Sequence, residues 1–200
     1  MADPRDKVRN SRVGNLLVVV VVTLIVIAGV YLVNQDRSTD GVELDGEQTQ
    51  GEFSEIETSG DAQPPEVGQP APTFSALDID GNSVALDDLE GPTWLVFNAT
   101  WCSACRAETP DIQAVQEARG DEFNLVSVWV NESRDVVQDY VERMELDYVH
   151  VVDTTSDIAS TYRTMGVPSH YFIDSDGVLQ EIYVGGLSES QMIEKVDALQ

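Results

Sequence analysis

One uncharged apolar run near the N-terminus limits what this chain can fold into more than any other feature. It reads LLVVVVVTLIVIAGVYLV, eighteen residues from Leu16 to Val33, and Thr23 is its most polar member. A helix rising about 1.5 Å per residue lets this run cross a hydrocarbon core of about 30 Å. Residues 1–15 carry four basic side chains. The positive-inside tendency therefore predicts that this basic N-terminus stays in the cytoplasm.

The alternative for the same run is a cleaved signal peptide, because the small residues Ala28 and Gly29 could form a cleavage site. The apolar part of such peptides usually has about 7–15 residues, and this run continues beyond that length to Val33. We therefore expect residues 16–33 to remain as a transmembrane signal anchor. The chain after Val33 would then lie outside the cell membrane, and the protein would cross the membrane once.

The segment that follows is acidic and poor in apolar residues. Residues 34–66 contain ten Asp and Glu side chains against one Arg, and much of the remainder is Gly, Ser, Thr and Gln. Their few apolar residues, among them Phe53 and Ile56, are too scattered to build a core. The composition predicts a disordered acidic linker. Residues 67–200 then form one domain of ordinary size.

The whole chain is strongly acidic. Its formal net charge is −25 at pH 7, from 36 Asp and Glu against 11 Lys and Arg. A surface of this charge repels phosphate groups, so nucleic acid is excluded as a partner. The ordinary consequence of such acidity is solubility through self-repulsion.

Within residues 67–200, short β-rich runs alternate with segments of helical periodicity, which predicts an α/β layered domain. The Asp80-Gly81 step predicts a hairpin. Strands are predicted at residues 93–98, 124–130, 148–152, 169–174 and 178–184. Helices are predicted after Cys102 as far as Gly120, after the cap Ser133, from Ser156 to Met165, and after Ser188, where Gln191 completes a capping box.

The only two cysteines, Cys102 and Cys105, have two residues between them and lie at the predicted start of a helix. A disulfide that closes so small a loop removes little entropy from the unfolded chain, so a purely structural disulfide is a weak explanation for the pair. A closed zinc site usually needs four ligands, and the chain adds only His150 and His170 as soft donors. At a helix N-terminus, the backbone N–H groups stabilise a thiolate on Cys102, and Cys105 is in reach to resolve it. The motif alone leaves redox chemistry and metal binding open.

The string VFNATWCSACRAETP, followed about sixty residues later by GVPSHYFIDSDG, resembles the thioredoxin superfamily. Within it, the chain is most similar to the membrane-anchored TlpA/ResA-like thiol–disulfide oxidoreductases. The opening string VGQPAPTF, the Asp-Gly hairpin and Pro110 belong to the same pattern, which covers residues 67–200. The resemblance implies a thioredoxin-like fold, in which helices flank a central mixed sheet, with an N-terminal hairpin and an inserted helix–strand element.

The resemblance also implies a set of site residues. These are Cys102 and Cys105 as a redox-active disulfide, Glu108 as a catalytic carboxylate, and Trp101, Val167 and Pro168 as the surface that contacts substrate. In the family the proline that matches Pro168 is cis and faces the disulfide. Glu108 stands three residues after Cys105 on one helix, where it can exchange that thiol's proton; it could also be an ordinary carboxylate favoured by the helix dipole. No metal or other cofactor is implied.

The implied substrates and partners lie outside the cytoplasm. The resemblance indicates reduction of disulfides in exported proteins, such as apocytochrome c during cytochrome c maturation, with electrons from a membrane thiol donor of the CcdA/DsbD type. Three positions depart from the family pattern, namely Asn98, the dipeptide Ser103-Ala104, and His170. Because that dipeptide helps to set the reduction potential, the chain could instead oxidise exported proteins. His170 is either an ordinary strand residue or a neighbour of the thiols.

Two further classes use the same fold. A copper carrier would rely on Cys102, Cys105 and His170, which are ligands that suit Cu(I). A peroxidase of the peroxiredoxin type would need a PxxxTxxC pattern. That pattern is absent, because the residue three before Cys102 is Ala99 and the residue three before Cys105 is Cys102. The sequence therefore predicts a thiol–disulfide oxidoreductase.

Overall fold

The computed structural model describes residues 56–58 and 64–199, together with five isolated positions nearer the N-terminus. These five positions are helical and exposed, and they are Val21, Thr23, Leu24, Ile27 and Ala28. The chain divides into two units, residues 1–49 and residues 50–200. The fold given below is that of the second unit.

The N-terminal predictions fall largely outside the described residues. The predicted anchor, residues 16–33, is described only at those five positions, and no helix in the described part of the chain is long and apolar enough to cross a bilayer. The prediction that residues 34–66 are a disordered linker is corrected at residues 56–58. Glu57–Thr58 form a short strand, β1, and Ile56 packs half-buried against the core. Ile56 looks isolated in sequence because its apolar partners are distant along the chain.

A mixed sheet of five strands forms the centre of the domain. Its strands are β4 (Thr93–Asn98), β5 (Asn124–Val130), β6 (Val149–Asp153), β7 (Ser169–Ile173) and β8 (Leu179–Val184). They lie in the order β6-β5-β4-β7-β8; β4 is parallel to β5, β5 is parallel to β6, and β7 is antiparallel to both β4 and β8. Every residue of β4 and β7 is buried. Other elements cover both faces of the sheet, which explains why these strands are mainly apolar and do not alternate with exposed polar residues.

A smaller antiparallel sheet precedes it, made of β1, β2 (Phe74–Leu77) and β3 (Ser83–Ala85). The predicted hairpin is confirmed, because β2 and β3 pair across the Asp80-Gly81 turn. Gly81 has a φ of 87°, a left-handed conformation that glycine adopts without strain. The Asp78 carboxylate accepts hydrogen bonds from the backbone N–H groups of Asp80 and Asn82, which closes the turn.

Four helices flank the central sheet. They are α1 (Ser103–Arg119), α2 (Arg134–Met144), α3 (Asp157–Thr161) and α4 (Glu189–Asp197). The capping box of α4 is confirmed, since the Ser188 N–H donates to Gln191 Oε1 at 3.1 Å. With α2 and β6 as the inserted helix–strand element, the architecture is the one that the sequence predicts.

Helix α3 is shorter than the predicted helix from Ser156 to Met165. It ends at Thr161 because the next residue, Tyr162, is drawn into the core, where its hydroxyl donates to the Pro72 carbonyl oxygen at 2.6 Å. Arg163 then turns the backbone with a φ of 53°, which a right-handed helix cannot contain. The chain is thereby free to turn towards β7.

The core lies on both faces of the sheet, because successive residues of β4 point to opposite sides. Leu95 and Phe97 belong to the cluster that packs with β2 and α3. Trp94 and Val96 belong to the cluster that packs with α1 and α4. Burying one such large side chain contributes about 1.5–3 kcal/mol, so this sheet is a firm support for the segment that follows β4.

Two buried histidines in this sheet are each bonded to a tryptophan on a neighbouring strand. The Trp94 indole N–H donates to Nδ1 of His170 at 3.2 Å, and the Trp129 indole N–H donates to Nδ1 of His150 at 3.2 Å. An indole can only donate, so each Nδ1 lacks a hydrogen. Burial lowers the pKa of His150 to about 3, which keeps this ring neutral at ordinary pH.

Candidate active site

Strand β4 delivers the two cysteines to the start of α1. Cys102 is the N-cap residue of α1, Cys105 lies in its first turn, and the two are joined as a disulfide with Cα atoms 5.3 Å apart. The Cys105 N–H donates to Cys102 Sγ at 3.1 Å. Cys102 is 7% exposed and Cys105 is 2% exposed. The helix N-terminus therefore favours a thiolate on Cys102, the more accessible of the two.

The loop before β7 forms the opposite wall of the site. The Val167-Pro168 peptide bond is cis, as the resemblance implied, and Cys102 Sγ lies 3.5 Å from the Val167 carbonyl oxygen. The Gly185 N–H donates to the Pro168 carbonyl oxygen at 2.9 Å, which ties this loop to the end of β8. Ala99 and Val167 pack against both cysteines. The structure thus brings Val167 to the disulfide, and its cis bond to Pro168 follows directly.

Two large apolar side chains are exposed in the segments that lead to Cys102 and to Val167. Trp101, directly before Cys102, is 65% exposed, and Met165, two residues before Val167, is 94% exposed. Such side chains are available to contact another molecule. Trp101 was predicted to contact substrate, and Met165 was not predicted. The contact itself stays a prediction.

The predicted catalytic carboxylate lies inside the domain. Glu108 is 3% exposed and sits one helical turn after Cys105 on α1. Its Oε2 accepts a hydrogen bond from the Leu187 N–H at 3.0 Å, whereas Oε1 has no hydrogen-bond partner in the described part of the chain. Buried carboxylate oxygens are normally hydrogen-bonded, so an unpaired Oε1 is available to bind or exchange a proton.

His170, whose role the sequence left open, contacts this carboxylate. The imidazole is fully buried, and its Nε2 lies 3.2 Å from the Gly185 carbonyl oxygen and 3.5 Å from Glu108 Oε2. With the Trp94 indole at Nδ1, both ring nitrogens face a polar partner. Across residues 56–58 and 64–199, no group of three His, Cys, Asp or Glu side chains is placed to hold a metal ion.

Sequence reasoning missed the contacts that fix the loop between β4 and α1. Glu132 accepts hydrogen bonds from the Thr100 N–H at 2.8 Å and from the Thr100 hydroxyl at 2.5 Å. Arg106 donates to the Thr100 carbonyl oxygen at 3.0 Å. Asn98, one of the departures from the family pattern, is buried and donates to the Ser127 hydroxyl at 2.9 Å. No spacing in the sequence signals these pairs, because about thirty residues separate the members of two of them.

Known proteins are similar to this chain in sequence and in fold. The model of the AhpC/TSA family matches residues 67–182. The chain is 32% identical over 134 residues to the thioredoxin-like protein YneN of Bacillus subtilis, covering 65% of this chain and 78% of that protein. It is 30% identical over 138 residues to the thiol-disulfide oxidoreductase ResA of Bacillus cereus, covering 66% and 75%. A solved thioredoxin-family thiol:disulfide interchange protein from Chlorobium tepidum is similar at 28% identity with a TM-score of 0.61, covering 70% of this chain and 98% of that one.

Proposed function

The chain belongs to the AhpC/TSA family and is a thiol–disulfide oxidoreductase with a thioredoxin fold, and from this premise we propose that it reduces disulfides of exported proteins outside the cytoplasm. The observation that carries the proposal is the pair Cys102 and Cys105 at the N-terminus of α1, beside the exposed Trp101 and the Val167 carbonyl oxygen. The predicted resemblance to ResA-like oxidoreductases is confirmed. Direction, substrate and membrane anchoring are the proposed parts.

The reaction transfers two electrons from the enzyme to the substrate. The Cys102 thiolate attacks one sulfur of a substrate disulfide, a mixed disulfide forms, and the other substrate sulfur leaves with the electron pair and takes a proton. Cys105 then gives its proton to the Glu108 carboxylate and attacks the Cys102 sulfur, which releases the second substrate thiol. The enzyme is left with the Cys102–Cys105 disulfide. A membrane dithiol of the CcdA/DsbD type would reduce it again.

The residues around Cys102 support a protein chain as the substrate. Trp101 and Met165 offer apolar contacts to an extended chain, and the Val167 carbonyl oxygen beside the sulfur can accept a backbone N–H. Glu108 after the cysteine pair matches the ResA-like pattern, which indicates reductants of apocytochrome c before haem attachment. We therefore place a Cys-x-x-Cys-His disulfide among the substrates.

The proposed direction is tested with a peptide that carries an oxidised Cys-x-x-Cys-His pair. Reduced full-length protein, mixed with one equivalent of this peptide, is expected to convert most of it to the dithiol while Cys102 and Cys105 become a disulfide. Thiol alkylation and mass spectrometry measure both products, and Cys102→Ser protein is the control. An equilibrium that leaves the peptide oxidised and the protein reduced would show that the chain is an oxidant.

The anchor is the second part of the proposal. Residues 16–33 would hold the catalytic domain at the outer face of the membrane, with residues 34–66 as the linker. Support comes from the length of the apolar run, its basic flank, and the helical Val21, Leu24 and Ile27, which are 47–59% exposed and need an apolar environment.

The protein recovered from cells is expected to sediment with membranes and to keep an N-terminus before Leu16. Intact mass and N-terminal sequencing measure this directly. A mature chain that begins after Ala28 would mean that the apolar run is a cleaved signal peptide.

A further inference from the structure

The hydrogen-bond partners of His170 determine which ring nitrogen carries its hydrogen. The Trp94 indole N–H donates to Nδ1 at 3.2 Å, so a neutral ring must carry its hydrogen on Nε2. The two groups nearest Nε2 are the Gly185 carbonyl oxygen at 3.2 Å and Glu108 Oε2 at 3.5 Å, and both are acceptors. Each end of the ring is therefore matched by the polarity of its neighbours.

The same contacts make the two oxygens of Glu108 different. Oε2 accepts the Leu187 N–H at 3.0 Å and lies 3.5 Å from His170 Nε2, which is also hydrogen-bonded to the Gly185 carbonyl oxygen, whereas Oε1 has no hydrogen-bond partner in the described part of the chain. The loop after β8 also passes close to this oxygen, since a Cβ added at Gly186 would lie 3.4 Å from Oε2. The loop after β8 therefore binds Oε2, which also lies beside His170 of β7, whereas Oε1 has no hydrogen bond in the described part of the chain.

We propose that His170 is a positioning residue for Glu108, its Nε2–H shared between the Gly185 carbonyl oxygen and Oε2 so that Oε1 is presented for proton exchange with Cys105. This inference rests on the proposed function, in which Glu108 takes the proton of Cys105 during resolution. His170 does not exchange that proton itself, because both of its nitrogens are engaged. His170, which departs from the family pattern, would thus serve to position Glu108.

Other titratable groups face this pair from the neighbouring elements. Tyr148, just before β6, is half-buried, and desolvation together with the neighbouring Tyr140, Glu108 and Asp147 raises its pKa, so it remains a neutral phenol. Tyr183 of β8 lies with its ring 6.2 Å from that of His170. Lys195 of α4 lies over the Tyr183 ring at 5.2 Å, and a salt bridge to Glu181 holds it there.

Two substitutions separate the two ends of the imidazole. His170→Asn retains an oxygen near the position of Nδ1, which can accept the Trp94 N–H, and it removes the donor to Glu108. His170→Gln places an amide N–H near the position of Nε2 and retains that donor. His150 supplies matched controls, because it makes the same 3.2 Å bond to a tryptophan, while its Nε2 has no hydrogen-bond partner in the described part of the chain.

The measured step is resolution of a mixed disulfide between full-length protein and the oxidised Cys-x-x-Cys-His peptide, followed by rapid quench from pH 5 to 9. His170→Asn is expected to slow this step at least about 10-fold and to flatten its pH dependence, since general acid–base catalysis contributes about 10²–10⁴-fold. His170→Gln is expected to stay within about threefold of the wild type, as are His150→Asn and His150→Gln. In a Glu108→Gln background, His170→Asn should cause no further loss, because both changes remove one function.

A wild-type rate in His170→Asn protein, or an equal loss in the Glu108→Gln background, would overturn the inference. If the variants do not fold, nitrogen NMR of the wild type decides: at pH 7 to 8 the hydrogen is expected on Nε2, and a hydrogen on Nδ1 overturns the inference. Failure of the proposed function has a different signature. The wild type would then not reduce the peptide disulfide, whereas the His170 tautomer would be unchanged.

Discussion

Cys102→Ser protein is expected to have no disulfide exchange activity above background, and Cys105→Ser protein is expected to stop half-way through the reaction. The thiolate favoured by the N-terminus of α1 is on Cys102, so its loss removes the nucleophile. Without Cys105 no thiol of the enzyme resolves the mixed disulfide, so an adduct on Cys102 should be trapped when the freed thiol of the peptide is blocked by alkylation. Mass spectrometry after incubation with the peptide disulfide measures the adduct.

Ser160→Ala protein is the control for these two variants, because Ser160 is exposed and lies in α3, outside the cysteine motif. It should exchange disulfides within about twofold of the wild type, as surface substitutions usually have small effects. If the adduct forms on Cys105 in Cys102→Ser protein, and none forms in Cys105→Ser protein, then the two sulfurs have the opposite roles.

Glu108→Gln is expected to slow resolution of the mixed disulfide about 100-fold. The amide retains the size of the side chain and an oxygen for the Leu187 N–H, but it cannot accept the proton of Cys105. General acid–base catalysis contributes about 10²–10⁴-fold, and water can replace part of it. Rapid-quench kinetics on full-length protein from pH 5 to 9 measure the rate, and the first attack by Cys102 should be little affected.

Glu117→Gln serves as its control, because Glu117 is an exposed carboxylate further along the same helix. Its resolution rate should match that of the wild type at every pH. Equal rates in the Glu108→Gln and wild-type proteins would mean that Glu108 is an ordinary helix carboxylate, which is the second interpretation that the sequence allowed.

Local sequence patterns were sufficient for most of the fold. Strands Thr93–Asn98 and Asn124–Val130 follow from apolar runs that are buried on both faces, and Ser188 with Gln191 is a capping box that acts over three residues. Long-range packing decided the remainder. Glu57–Thr58 pair with Ser75 and Phe74 in a sheet and Ile56 packs against the core, and no pattern within a short window contains that information.

The candidate site divides in the same way. The cysteine pair and the Val167-Pro168 step are contiguous in sequence and could be recognised there, whereas the chain of contacts from Trp94 through His170 to Glu108 joins β4, β7 and α1. A histidine in an apolar strand is compatible with several environments, and only the fold selects one.

The reduction potential of the Cys102–Cys105 disulfide tests the central claim most directly. Full-length protein would be equilibrated with a series of thiol–disulfide buffers, and the fraction of reduced Cys102 and Cys105 would be measured by alkylation. For a two-electron couple about 30 mV corresponds to about 1.4 kcal/mol, so reductants and oxidants are well separated. We predict a potential near or below about −270 mV, the value of thioredoxin; a potential above about −180 mV, in the range of oxidising isomerases, would contradict the reductive function.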